Sequence, residues 1–531
     1  MSEALHGGPA AAGAAADGPS RPAAAPSPRA AGPRALAGAV LAPALVGAVA
    51  VGTFWLVHEA LVDDAYITLT YARNLAEQGH WGLLSAVPSN TATSPGWVLL
   101  LGGAVALVGS PVAALGACHV LIAVLLERSL SGAARRAGLP RWTGPLGALV
   151  VGTNPLLLST VGLETNVLLL LLALLLLTAQ AGRPVLHGLV AGAVVLTRPD
   201  AGVVVAVVAL GVPAVLRRLH VVVPVALAVV VPWAVWSWYS LGSAVPDTVV
   251  IKTAVSSWGP WDVTNGWRWY VDLYGASAVV AFLPAAAGIA GCLVLAVLRL
   301  RAAEPRTGPW TALGVGGVLH WVALSVLGVP PFHWYFGVVV GLGGVTAAAA
   351  AGALAASRAR AHRRAPRTAL GALAAAAALA VVAQVAASAV QDVRQGRPWV
   401  LSAIQTNYAT PAQYAAIGAD LAAMDVGLVE SPGEIGHLAF ACDCVVDVFA
   451  DPARLRPLVE AQRERADGFA RDVLDLNHRH YPGDRDPLPT TGRLAYFADA
   501  DVPTEGVVAS WPARTGHILA PGRIVLLEAG R

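Results

Sequence analysis

The sequence predicts a polytopic α-helical membrane protein of about eleven transmembrane helices, followed by an extracytoplasmic α/β domain. Three observations carry that prediction. Of 531 residues, 56% are apolar and 13% charged, a balance found in membrane chains rather than soluble ones. Apolar runs recur from about residue 36 to residue 390, several of them reaching the ~20 residues that a span needs. The composition then changes: residues 392–531 carry 19 of the 32 acidic residues but 13 of the 35 basic ones, a net −6 against +9 for the rest. A stretch of about 140 residues is large enough to bury a core of its own.

Taken in order, residues 1–34 are Ala-, Pro- and Gly-rich with Arg21, Arg29 and Arg34. They lack the apolar core of a signal peptide and read as a disordered cytoplasmic tail. The transmembrane domain is expected over 35–391. Its runs lie at about 36–58, 94–127, 143–160, 165–180, 185–197, 201–216, 220–240, 275–299, 309–328, 334–356 and 369–390. An outer loop, 60–93, separates the first two; its opening, DDAYITLTYARNLAEQGHWGLL, is amphipathic rather than spanning. The run 94–127 is long for one helix, and Gly109-Ser110-Pro111 could bend it or split it into two crossings.

Basic residues set the orientation. Clusters at Arg135/Arg136/Arg141, Arg183, Arg217/Arg218, Arg299/Arg301/Arg306 and Arg358 through Arg367 belong inside. Eleven crossings place all of them there in a plasma membrane. Asp63/Asp64, Glu164, the Arg198–Asp200 turn, the loop 241–273, the turn 329–333 and the acidic domain 392–531 then face outward. In that domain VGLVES, CVVDVFAD, GRLAYFAD, GVVASW and GRIVLLEA read as strands and 453–479 as helical. Tyr408, Tyr414, Tyr496 and Trp511 could stack on sugars or pack a core. Cys442 and Cys444 would be poorly placed to pair on a strand, so free thiols are expected there. Cys118 and Cys292 read as packing residues within spans.

Asp63 and Asp64, side by side after the first span, are the leading candidate site. Carboxylates at a membrane–water boundary can have perturbed proton affinity, which suits taking a proton from a polar substrate. Acids that merely end a helix in solvent are the alternative. The same outer face gathers Arg73, His80, Glu164, Arg198, Asp200, Lys252, His333 and Trp334. Lys252 is the only lysine beside 34 arginines, and an ammonium is a compact donor to phosphate oxygen. Taken singly each could be an interface anchor; together they favour an anionic or sugar-like ligand.

The stretch DDAYITLTYARNLAEQGHWGLLSAVPSNTATSPGWVLLL resembles the opening of the GT-C glycosyltransferases. There an acidic pair follows the first span, then come an aromatic-and-Arg helix and a Ser-Pro/Trp start to the next. GLET before a leucine-rich helix, LTRPDAG, LGSAVPDTVVIK and a late aromatic outer turn agree in order, so the resemblance covers roughly 36–340. The nearest group is the actinobacterial and mycobacterial arabinofuranosyltransferases that add terminal β-(1→2) residues. The C-terminal segment departs from that group in lacking a Gly-Leu-x-Asp-Pro-Leu stretch.

The resemblance implies a GT-C fold and an inverting, polyprenyl-phosphate-sugar-dependent glycosyltransferase active at the outer face of the plasma membrane. The sugar implied is arabinofuranose and the acceptor a cell-envelope glycan or glycolipid; the bilayer is a further partner and nucleic acid is not. Asp63 or Asp64 would be the base. Lys252, Arg198, Arg73 and His333 are candidates for the donor phosphate; Glu164, Asp200, His80 and Trp334 are candidates for substrate contacts. No cofactor is required, although a divalent cation could bridge acids and phosphate; no zinc or nucleotide-binding pattern is visible. The alternative is a transporter or flippase of lipid-linked sugars, which commonly shows repeated halves. A third reading is an assembly protein whose outer domain binds glycan.

Overall fold

The computed structural model describes residues 33–254, 258–302, 305–361, 383, 386, 404, 407–482, 485–513 and 521–529. Almost all of the expected tail and nearly all of the run 369–390 lie outside the described residues. The membrane half begins with α1 (Pro33–Val57), α2 (Asp63–Gln78), α3 (Pro95–Val108) and α4 (Pro111–Ala137). Short helices α5 (Thr143–Gly152), α6 (Pro155–Ser159), α7 (Thr165–Ala181), α8 (Pro184–Thr197), α9 (Gly202–Gly211) and α10 (Pro213–Leu216) lead to α11 (Leu219–Ser240). Then come α12 (Thr248–Ala254), α13 (Gly266–Tyr274), α14 (Ala276–Ala302), α15 (Gly308–Val326) and α16 (Gly337–Ala361).

Among the described residues six helices are long and apolar enough to cross a membrane, in α1, α4, α11, α14, α15 and α16, and five shorter apolar helices accompany them. About eleven runs were expected, and breaks explain the shortening. The run 94–127 is two helices. Gly109 takes φ +81° at the end of α3, Ser110 accepts a hydrogen bond from the Ala113 amide, and Pro111 starts α4. A left-handed glycine followed by a helix-starting proline ends one helix and opens the next. At 143–160 the break has no left-handed glycine; Asn154 caps α6 by accepting from the Leu156 and Leu157 amides, and Pro155 opens the helix.

The segment 60–93, expected to be an outer loop, is more ordered than the sequence suggested. Residues Asp63–Gln78 form α2, with Asp63 and Asp64 in the first turn, where carboxylates favour the helix dipole, and Gly79 (φ +64°) capping the end. The segment's second part is held by Tyr71, whose hydroxyl meets Ser89 Oγ at 2.6 Å and Thr91 Oγ1 at 2.8 Å.

Residues 407–529 contain α17 (Pro411–Met424), β1 (Val429–Glu430), α18 (Gly436–Ala441), β2 (Val445–Val446), α19 (Pro452–Arg465), α20 (Gly468–Asn477), β3 (Gly492–Ala498), β4 (Val507–Ala513) and β5 (Gly522–Glu528). The five strands form one mixed sheet in the order β2-β1-β3-β5-β4. Pairing is parallel around β1 and antiparallel around β5. All five fall on the runs read as strands. The core of this region is shared with the segment 60–93: Ile67, Tyr71, Trp81 and Leu84 pack in one apolar cluster with Tyr414, Leu438, Val445 and Ile524.

Cys442 and Cys444 form a disulfide, against the free thiols expected. They do not lie on one strand: Cys442 caps α18 with extended backbone, and the chain turns before β2, bringing the two Cα atoms to 5.2 Å. That separation lies within the range a disulfide needs. Asp443 inside this ring accepts from the Ser85 amide at 3.0 Å, tying the C-terminal region to the segment 60–93 again.

Candidate active site

The two adjacent aspartates have different surroundings. Asp63 is buried and faces α18. One carboxylate oxygen accepts from the Gly436 amide at 2.9 Å; the other accepts from the His437 amide at 2.8 Å and meets His437 Nδ1 at 2.9 Å. The His437 ring is held between Tyr66 and Tyr414, with centroids 4.1 and 4.9 Å away. Gly436 permits this approach, because a Cβ there would overlap the Asp63 carbonyl oxygen. Asp63 thus fastens the C-terminal region to the start of α2.

Asp64 points the other way, toward Lys252 of α12, with 3.6 Å between Oδ2 and Nζ. Burial raises its proton affinity most, Lys252 lowers it, and Asp63 and Glu164 raise it; the net shift is upward. Burial alone would lower the Lys252 pKa, but Tyr335, Asp64 and Glu164 raise it, and the ammonium is favoured overall. Three aromatic rings surround that ammonium, Trp334 at 5.5 Å, Phe332 at 5.8 Å and Tyr335 at 5.9 Å from centroid to Nζ, distances at which a cation is attracted to ring faces.

Asp64, Lys252, Trp334 and Phe449 line two adjoining cavities. The smaller, about 30 Å³, also has Glu164, Arg198, Thr91, Thr93 and Ser94 on its wall. The larger, about 520 Å³, adds Asp63, Trp258, Trp269, Tyr408 and Glu434. Arg198 is clamped behind the smaller one: Nη1 donates to Glu164 at 2.7 Å and Nε to both oxygens of Asp200 at 2.9 and 3.1 Å. His320 Nε2 on α15 meets Asp200 at 2.9 Å. Arg198 is thus engaged by two carboxylates, whereas Lys252 stands at the junction of the two cavities.

Of the residues singled out from sequence, Asp63, Asp64, Glu164, Arg198, Lys252 and Trp334 line these cavities, and Asp200 stands behind Arg198. The other three lie apart from both cavities. Arg73 donates to the Phe440 carbonyl at 2.9 Å and lies over the Phe440 ring, packing the junction of α2 with α18. His80 closes its own loop on the Leu84 and Val87 carbonyls at 2.8 and 3.3 Å. His333 is fully buried beside Tyr270, its Nε2 3.5 Å from the Ser159 carbonyl. Each was grouped with the site by sidedness, and side-chain direction takes it elsewhere.

Sequence reasoning did not single out His320, Glu434 or His437. Glu434 borders the larger cavity and accepts from the Tyr408 amide, at 3.0 and 2.9 Å to its two oxygens, and from the Tyr414 hydroxyl at 2.5 Å. Burial, then Asp63, holds its pKa well above the usual carboxylate range. The segment GEIGH, a carboxylate and an imidazole among glycines, was the available signal. His320 sits in an otherwise apolar helix with no neighbouring motif. Of the C-terminal aromatics, Tyr408 stacks on Tyr496 with centroids 5.1 Å apart, and Tyr414 is buried. Trp511 Nε1 donates to Asp420 at 2.7 Å.

This helical membrane bundle, with an acid-bearing helix after its first span and a mixed sheet docked on it, has the GT-C fold. Among solved structures, apo ArnT from Cupriavidus metallidurans matches with a TM-score of 0.50 at 18% identity, over 93% of this chain and 98% of that one. The archaeal oligosaccharyltransferase AglB from Archaeoglobus fulgidus, in complex with an inhibitory peptide and a dolichol-phosphate, matches with a TM-score of 0.50 at 12% identity, over 86% and 69%. The mycobacterial arabinofuranosyltransferase AftD matches with a TM-score of 0.49 at 17% identity, over 92% and 40%, too loosely to bear on the sugar. No family model matches the sequence, and no curated protein sequence does.

Proposed function

We propose that this chain is an inverting glycosyltransferase of the outer membrane face. It would move a sugar, arabinofuranose being the reading from sequence, from a polyprenyl-phosphate donor to a hydroxyl of a cell-envelope glycan or glycolipid. The observation that carries the reading is the Asp64–Lys252 pair at the junction of two cavities. A dolichol-phosphate in a protein of this fold supports lipid phosphate as the ligand class. The Cys442–Cys444 disulfide supports an oxidising, extracytoplasmic location for the C-terminal region.

The acceptor hydroxyl attacks the anomeric carbon on the face opposite the phosphate. Its proton passes to Asp64, a new C–O bond forms, and the bond to phosphate oxygen breaks with its electron pair retained by polyprenyl phosphate. The upward shift of Asp64 by burial suits a base that must hold a proton once taken. Lys252 offers N–H donors to the charge that develops on the leaving phosphate. This scheme needs no metal, since Lys252 supplies that charge. Trp258, Trp334 and Tyr408 in the larger cavity give flat surfaces for an acceptor sugar.

The test is turnover of a synthetic polyprenyl-phosphate pentose by purified protein, followed as released polyprenyl phosphate and extended acceptor. Asp64→Asn should lower turnover by about a hundredfold or more while donor binding persists. Full turnover by that variant would remove the proposal.

A further inference from the structure

Helix α20 (Gly468–Asn477) has no buried residue, yet its sequence GFARDVLDLN is strongly two-faced. Phe469, Val473 and Leu476 recur at the i, i+4, i+7 spacing of one helix face and are 83%, 47% and 57% exposed. Arg471 and Asp475 occupy the opposite side, where Asp475 meets Arg463 of α19 at 2.5 Å, and Asp472 flanks the stripe. Water would be a poor environment for that apolar face.

The level at which α20 sits is set by a membrane helix. Helix α11 runs 22 residues from Leu219 to Ser240, only 6% of it buried. At 1.5 Å per residue it is about 33 Å long, close to the thickness of a bilayer's hydrocarbon core. Arg217 and Arg218 precede it, and Trp233, Trp236, Trp238 and Tyr239 crowd its far end, in the pattern of an interfacial aromatic belt. Here α20 is fastened. Trp238 Nε1 donates to the Leu476 carbonyl at 2.9 Å, and Asn477 accepts from the Ala244 and Val245 amides at 3.0 and 2.9 Å. His480 packs against Trp238 and Tyr239, with centroids 4.7 and 4.8 Å away.

We infer that α20 is an interfacial helix whose Phe469, Val473 and Leu476 face lies in the headgroup–acyl boundary of the bilayer, on the leaflet where α11 ends. The occupant of the exposed face is lipid, because the apolar stripe continues from the belt of a lipid-facing span. An interfacial helix of this type buries its apolar face ~5–10 Å into that boundary. The consequence reaches the site. Leu455 and Val459 of the adjoining α19 pack on Val250 of α12, and α12 carries Lys252. Anchoring α20 therefore sets the height of Lys252 relative to the headgroups. The inference does not depend on the reaction proposed above.

The experiment places an environment-sensitive fluorophore on Val473→Cys, or on Phe469→Cys should the first variant fold poorly, in a Cys118→Ser/Cys292→Ser background. The protein is held in nanodiscs of phosphatidylcholine and phosphatidylglycerol. A nitroxide at acyl carbon 5 should quench that label several-fold more than one on Arg471→Cys, on the opposite side of the helix, and aqueous iodide should show the reverse order. Equal quenching at the two positions would overturn the inference. Protection of Val473→Cys from both quenchers, growing with protein density, would overturn it in favour of a second copy of the chain.

Discussion

Replacing Asp63 by Asn should separate the duties of the two adjacent acids. The Asp63 carboxylate accepts three hydrogen bonds, from the Gly436 and His437 amides and the His437 ring. An amide of the same shape has one accepting oxygen, and its NH2 group must face one of the two backbone N–H donors. That leaves a buried donor without an acceptor, at about 1–3 kcal/mol, and removes the charge from the remaining bonds, about another 1 kcal/mol. The expected loss is therefore about 2–4 kcal/mol, confined to the docking of α18 on α2. Hydrogen exchange of a peptide spanning 431–441 should accelerate by one to three orders of magnitude, and cleavage near residue 440 should become easier. Asp64→Asn should leave that exchange unchanged and lower turnover instead. Unchanged protection in Asp63→Asn, or loss of protection in Asp64→Asn, would refute the division of roles.

Gly436→Ala should undock the same helix more severely than Asp63→Asn, since the added carbon would overlap the Asp63 carbonyl; a protection loss limited to that of an exposed Gly-to-Ala change would contradict this. Lys252 lowers the pKa of Asp64, so Lys252→Ala should move the acid limb of the pH–rate profile to higher pH. The opposite displacement would exclude Asp64 as the group seen. Burial pushes the Asp447 carboxyl up to about 7. The folded form then binds its proton more tightly than the unfolded one, and stability falls as pH rises from the ordinary carboxylate range through about 7. Asp447→Asn should accordingly stabilise the protein above neutral pH and have little effect near pH 4, read from thermal unfolding at the two pH values. Reduction of Cys442–Cys444 should loosen the Asp443–Ser85 contact, measured as faster exchange at the Ser85 amide.

Much of the architecture is a local property of the chain and could be read from it. Apolar runs report helices that a bilayer can cover, and alternation in VGLVES, GRLAYFAD and GRIVLLEA reports strands, because hydrophobic periodicity follows backbone geometry within a few residues. The acidic pair, Lys252 and Trp334 could be grouped for the same reason: each lies at the end of an apolar run or in a loop between two, and such segments gather at the ends of spans. Side-chain direction is not local. Asp63 and Asp64 are equivalent in sequence, and what separates them is Gly436 and His437, more than 370 residues away. Arg73 and His80 share the pair's helix and loop, but backbone carbonyls of Phe440 and Leu84 take them up. Asp200 gains His320 from a helix 120 positions on. Cys442 and Cys444 pair because a turn, not a strand, lies between them. Hydropathy thus determined from sequence which segments this protein buries; only close packing of distant segments decided which of its carboxylates are fastened and which one faces Lys252.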